Sequence, residues 1–200
     1  MASIIGHSFA GIITKQIIKT KLSYEKERLL LWISIFLAIL PDFDIIIYIL
    51  FKPSGMIPHR GFSHGLPFIL ITSIFFTLLS AQYFGILKRK LFLIYFLSLF
   101  SHSTLDYLMG AGPPIAFFAP FSNISFLSPV SFIPWAYYSK SAKGLLQILF
   151  YPPAILGYCL ELMIFVPVVL ILKKPNVRMF NYALLAIFSL GIIYTISIYN

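Results

Sequence analysis

Long apolar runs alternate with short polar stretches along this chain. Residues 29–51, 66–87, 91–109, 144–172 and 180–198 each approach or exceed the roughly 20 apolar residues that a helix needs to cross a bilayer. Residues 2–18 form a weaker sixth segment, interrupted by His7, and are compatible with a span, a re-entrant helix or an interfacial one. Pro41 falls in one run and Pro152 with Pro153 in another, where a missing backbone donor marks a break or kink. The pattern predicts an all-α, polytopic membrane helix bundle of five to six transmembrane helices. It forms a single domain over 1–200 without internal repeats.

Composition supports this reading. Charged residues make up 10% of the chain and hydrophobic ones 60%, against about 25% charged in a soluble domain. The N-terminus lacks a basic n-region and an obvious small-residue cleavage site, so no removable signal peptide is expected. A lone Cys159 cannot form an internal disulfide. The net charge of +9 does not point to nucleic acid, because the lysines and arginines sit between apolar runs, as topology signals do.

Residues 110–139 stand apart. They hold Pro113, Pro114, Pro120, Pro129 and Pro134 but no Asp, Glu, Lys, Arg or His. An irregular loop of this length is often functional. Its phenylalanines and Trp135 put it at the membrane surface, either as a lid or lipid-facing groove or as a passive amphipathic connector.

If all six segments cross, one set of loops carries Lys15, Lys19, Lys21, Lys26, Arg28, Lys88, Arg89, Lys90, Lys173, Lys174 and Arg178. The other carries only Lys52, Arg60, Lys140 and Lys143. The excess of positive charge marks the cytoplasmic side. His59 and His64 then lie on an outer loop, and His7, Asp42, Asp44, His102 and Asp106 lie in the outer halves of their segments. The charge count used none of these seven residues, yet it gathers them at one depth on one face.

All four histidines and all three aspartates fall in four clusters: Gly6-His7, Leu40 to Asp44, His59 to His64, and Ser101 to Asp106. Carboxylates within a membrane span are costly and mark function by default. His102 and Asp106 are four apart and share a helix face, which suits either a two-residue metal contribution or a plain His–Asp hydrogen bond. On a regular helix Asp42 and Asp44 would point about 160° apart. A helix broken at Pro41 can aim one or both inward, or leave both in interfacial water. His59 and His64 lie on a glycine-containing loop. Arg60 there is either a two-pronged phosphate grip or an ordinary interfacial arginine.

Neutral imidazoles with carboxylates suit zinc, with manganese or iron as alternatives. The set exceeds one tetrahedral site, so more than one divalent ion sharing a bridging carboxylate fits the count. Such a centre hydrolyses phosphoesters. The candidate metal ligands are His7, Asp42, Asp44, His59, His64, His102 and Asp106, with Asp42, Asp44 and Arg60 in catalytic roles.

In this order the clusters resemble the bacterial and archaeal inner-membrane metal-dependent hydrolases, one branch of which is described as LexA-regulated. That pattern is Gly-His, then Leu-Pro-Asp-x-Asp, then His-Arg-Gly-x-(Ser/Thr)-His, then Ser-His-x-x-x-Asp before a Gly- and Pro-containing stretch, here Gly110 to Pro114. The resemblance covers residues 1–121, and His-Arg-Gly-x-Ser-His is its most specific part. The apolar C-terminal spans, 144–198, add only hydrophobicity. Ile45 stands where some relatives carry a histidine, so a ligand there is missing or replaced. A looser similarity runs to zinc-dependent phospholipase C and related single-strand nucleases. It implies ligand roles for His7, Asp42 or Asp44, His59 or His64, His102 and Asp106. It lapses after that His-x-x-x-Asp: no histidine follows His102, and Glu161 is the only carboxylate after Asp106, so a full three-zinc site is not expected.

The resulting expectation is a multi-pass protein of a prokaryotic cytoplasmic (inner) membrane, its site facing outward, hydrolysing a small-molecule or lipid phosphoester among membrane lipids. The alternatives are a transporter or metal-binding membrane protein, and an intramembrane serine hydrolase using Ser63 of Gly61-Phe62-Ser63-His64-Gly65. The serine elbow needs a strand–turn–helix on a sheet, and none is readable.

Overall fold

The computed structural model describes residues 3–51, 59–131 and 142–173. Its elements are α1 (Ile4–Ile17), α2 (Tyr24–Ile39), α3 (Phe43–Phe51), α4 (Leu66–Phe84), α5 (Lys88–Leu108), α6 (Ala142–Leu149) and α7 (Pro152–Lys173). Single 3₁₀ turns at Leu40–Asp42 and Phe62–His64 lead into α3 and α4. Extended pairing among the described residues is limited to one bridge, Ile115 with Phe126. The chain is therefore all-α over its described residues, as its apolar pattern predicts.

Among the described residues, four stretches are long and apolar enough to cross a membrane: Tyr24–Ile47, Leu66–Phe84, Lys88–Leu108 and Pro152–Lys173. The first apolar segment forms a helix of 14 residues, about 21 Å long and short of a bilayer core. The run 144–172 is two helices, because the chain turns at Phe150 and Tyr151 and Pro152 opens α7. A proline suits the first turn, where its missing N–H has no partner to lose. The expected span 180–198 lies outside the described residues.

A core of Leu30, Leu37, Ile69, Leu91, Ile94 and Leu99 joins α2, α4 and α5. The outer face of α4 instead exposes Leu70, Ile71, Ile74, Phe75, Leu78 and Leu79. Such a belt would drive aggregation in water and suits lipid chains. α1 packs against α2, α5 and α7. Its buried positions are small or polar: Gly6, His7, Ala10, Gly11 and Thr14. Small residues let helices approach closely inside a membrane, and hydroxyls hold them across the gap. Thr14 Oγ1 lies 2.9 Å from Ser98 Oγ on α5.

Chain direction sorts the polar residues to two ends. α4 and α5 form an antiparallel pair turned at Gly85, whose φ of 65° is the left-handed conformation glycine tolerates. α5 opens on Lys88-Arg89-Lys90 and reaches His102 about 21 Å later. α1 ends and α2 begins near the Lys15–Glu27 ion pair. His7, at the start of α1, and Asp42, just past α2, therefore lie at the opposite end from these basic groups.

A Cβ at Gly11 would stand 2.7 Å from the Ser34 carbonyl oxygen and 2.8 Å from Ile35 Cα, both backbone atoms of α2. We expect Gly11→Leu to lower the melting temperature of the detergent-solubilised protein, at an overpacking cost of about 1–3 kcal/mol. An unchanged melting temperature would show that α1 does not lie this close to α2.

Candidate metal centre

Local backbone breaks bring the clusters together. α2 stops at Ile39, and the 3₁₀ turn at Pro41 swings Asp42 inward, where it is buried. Asp44, in the first turn of α3, takes a different direction. Its Oδ1 lies 3.0 Å from His59 Nδ1, and its Oδ2 accepts from Ser63 Oγ at 3.0 Å. His64 is fixed by the 3₁₀ turn and by Ser103 of α5, whose hydroxyl donates to the His64 carbonyl at 2.9 Å. His102 and Asp106 are buried one turn apart on one face of α5. His7 enters from the first turn of α1, its ring stacked on His102 with centroids 3.7 Å apart.

Asp42, His64, His102 and Asp106 each present a ligand atom, all within 4.8 Å of one another. The hydrogen bonds behind the rings fix their tautomers. His102 Nδ1 lies 2.7 Å from the Ala38 carbonyl oxygen, which only accepts, so Nδ1 carries the proton. His64 Nδ1 lies 3.0 Å from Ser63 Oγ, whose own hydrogen goes to Asp44. That nitrogen donates as well. When neutral, the two rings turn bare Nε2 lone pairs toward each other, 3.0 Å apart. Asp42 Oδ1 stands 3.4 Å from His102 Nε2, and Asp106 Oδ2 stands 3.5 Å from His64 Nε2.

Lone pairs and carboxylates crowded in an apolar interior require positive charge. A proton is one source. Burial pushes the His64 imidazole down, but the carboxylates of Asp106 and Asp42 outweigh burial and raise its pKa to about 9. One proton bridges only one pair of atoms, however. Both oxygens of Asp42 and both ring nitrogens of His7 are buried without a hydrogen bond. His7 Nε2 lies 3.8 Å from Asp42 Oδ2 and 3.6 Å from Asp106 Oδ1. Ligand atoms around a tetrahedral zinc ion stand about 3.3–3.6 Å apart, close to these separations. The residues fit a divalent cation, which would satisfy several of these atoms at once.

Arg60 is buried and belongs to this assembly. Its backbone is left-handed, with φ of 68°. Nε lies 3.0 Å from Asp106 Oδ2, while Nη1 donates to the carbonyls of Ala111 and Pro113, each at 2.8 Å. The arginine ties the end of α5 to the Gly- and Pro-containing stretch that follows. A Cβ at Gly112 would come within 3.3 Å of Nη1, so glycine leaves room for the guanidinium. Nη2 is buried without a hydrogen bond.

Asp44, His59 and His64 form a second group with ligand atoms within 4.8 Å of one another. His64 Nδ1 also meets Ser63 there, so the group stands as a hydrogen-bonded layer behind His64. Ser63 gives its hydrogen to Asp44 and sits in a 3₁₀ turn leading into α4, with no named strand among the described residues, an arrangement unlike a serine elbow.

Glu161 has a role that sequence reasoning missed. From α7 its carboxylate accepts the Ser3 amide at 2.8 Å, the Gly6 amide at 3.1 Å and the Ser3 hydroxyl. It caps the positive end of α1 beside His7. A Cβ at Gly6 would lie 3.0 Å from this carboxylate, so Gly6 of the Gly-His pair makes room for the cap. An acid within a span signals a partner, but nothing local in the sequence names one 158 residues away.

The sequence profile of the family described as YdjM inner membrane protein matches residues 1–198. The chain belongs to the YdjM inner membrane protein family. This agrees at family level with the inner-membrane resemblance carried by the four clusters. Inner membrane protein YbcI of Escherichia coli (strain K12) is 32% identical over 115 residues, which is 56% of this chain and 65% of that protein. This YdjM-family chain therefore covers slightly less than two thirds of that relative's length. No solved structure matches it.

Two supporting contacts of the YdjM-family site can be probed through metal affinity. Outer-sphere partners of metal ligands typically contribute about 10–100-fold. Ser63→Ala, which frees the His64 ring, and Glu161→Ala, which uncaps the helix bearing His7, should each weaken zinc binding by that order in chelator competition. Ser80→Ala, whose hydroxyl meets Tyr95 away from the cluster, should leave affinity unchanged. Equal affinities in all three variants would dissociate these contacts from ligand placement.

Proposed function

We propose that this protein is a membrane-bound, metal-dependent phosphoester hydrolase working at the outer face of a prokaryotic cytoplasmic membrane. The observation that carries the reading is the pair of His64 and His102 Nε2 lone pairs flanked by Asp42 and Asp106, with their Nδ1 protons already committed. Zinc suits this ligand set best, with manganese or iron as alternatives. When bound, a divalent cation lowers the pKa of water and stabilises charge on a phosphoryl oxygen.

The chain's own groups divide the remaining work. His7, Asp42, His64, His102 and Asp106 would hold the cation. Asp44 and His59 form the hydrogen-bonded layer that backs His64. Asp42 and Asp44 are the carboxylates available to take a proton from water. Arg60 has an unpartnered buried Nη2 that orients an anionic oxygen. In the reaction, water's oxygen bonds to phosphorus, one P–O ester bond breaks, and the departing alkoxide takes up a proton. The outward orientation rests on the separation of the centre from the basic ends of α1, α2 and α5.

A second reading, metal binding without hydrolysis, draws support from the burial of His7, Asp42, His64, His102 and Asp106. Closed sites are typical of structural metals, whereas catalytic ones keep an open position.

Purified protein loaded with zinc or manganese should bind metal stoichiometrically and hydrolyse bis(4-nitrophenyl) phosphate. His102→Ala and Asp106→Ala should lose metal, and activity should fall by about 100-fold or more. Metal bound without turnover of any phosphoester would leave the second reading standing, and no bound metal would end both. Orientation is tested separately: in a Cys159→Ser background, Leu87→Cys, exposed in the turn between α4 and α5, should react with an impermeant maleimide only after lysis. Labelling on intact cells would place the centre in the cytoplasm.

A further inference from the structure

The segment after α5 has two unlike sides. Its inner side is fastened to the centre. The Arg60 carbonyl accepts from Ala116 N at 3.2 Å, and Leu66 N donates to the Phe117 carbonyl at 2.8 Å. The Phe117 ring lies 6.2 Å from Tyr107, the residue after Asp106. Two backbone bonds between Ile115 and Phe126, at 2.8 and 2.9 Å, close the intervening residues into a loop. Its outer side carries bare apolar groups and no charge: Phe121 is 85% exposed and Ile124 64%, with Phe118 and Val130 also exposed, next to the uncharged Asn123 and Ser125.

We infer that the 115–127 loop is seated in the bilayer, and that the substrate is a membrane lipid phosphoester entering from the lipid phase. The substrate half of this inference rests on the hydrolase reading above; the seating of the loop does not. The chain has no charged residue and no histidine from Tyr107 to Ser139, whereas a protein-binding surface carries a polar, charged rim. The loop also continues a lipid-facing surface. Leu66 opens α4, and Leu70 and Ile71 are exposed one turn further on. Burying exposed phenylalanine and isoleucine in the interfacial region is favourable by the same effect that seats amphipathic helices there. The ligand atoms of the centre are closed to solvent. A lipid matches both sides of the loop: its anionic head suits the cation and Arg60, while its chains need never leave the membrane.

Two measurements on the full chain, reconstituted in phosphatidylethanolamine–phosphatidylglycerol vesicles, test the inference. In a Trp32→Phe, Trp135→Phe background, Phe121→Trp should be quenched by lipids brominated on their acyl chains and protected from aqueous iodide. Quenching by iodide alone overturns the seating of the loop. Separately, Phe121→Asp with Ile124→Asp should slow hydrolysis of vesicle phospholipid by about tenfold or more. It should leave bound metal and turnover of dissolved bis(4-nitrophenyl) phosphate unchanged, and Phe121→Leu with Ile124→Leu should behave as wild type. Equal loss on both substrates, or no loss on vesicles, overturns the lipid substrate. If metal-loaded wild type cleaves neither substrate, the hydrolase reading and the lipid substrate fall together. The tryptophan measurement then still decides where the loop lies.

Discussion

The arrangement depends on one electrostatic constraint: two imidazole lone pairs and two carboxylates share a small volume inside an apolar bundle. Each group alone would be costly to bury, and together without positive charge they repel. Around them the hydrogen-bond donors have already been spent. The Nδ1 protons face outward to Ala38 and Ser63, and the Arg60 guanidinium lies along Asp106. What is left pointing inward is almost entirely acceptor.

Holding so many acceptors together takes rigidity, and the bundle obtains it from breaks in regular structure. Pro41 turns Asp42 off the axis of α2. The 3₁₀ turn at Phe62–His64 sets one imidazole at the mouth of α4, where Ser103 holds it by its own carbonyl. Arg60 adopts a left-handed backbone, an uncommon state for a residue with a Cβ. The helices set depth and these irregular residues set direction.

That division explains what the sequence disclosed. The helical class and the approximate spans follow from hydropathy, because burial in lipid forces backbone hydrogen bonds inside each segment. The convergence of His7, Asp42, His64, His102 and Asp106 was legible because topology places their segment ends at one level. Direction was not. Asp42 and Asp44 differ by two positions yet serve different neighbours, and nothing in Asp-x-Asp says which faces inward. The run 144–172 reads as one span because its composition barely changes across Phe150 and Tyr151, although the backbone turns there. Glu161 stood out as an isolated acid, but its partners, Ser3 and Gly6, are found only by folding.

The Glu161 cap also bears on the order in which the molecule is made. Chains emerge from the N-terminus first, so His7 is among the earliest residues to leave the ribosome. The carboxylate that anchors its helix arrives 158 residues after Ser3, on α7. Until α7 inserts, the first turn of α1 lacks that anchor, and only α2 and α5 hold the helix that carries His7. A chain cut short before α7 would carry every one of the motif clusters and still hold an unfinished centre.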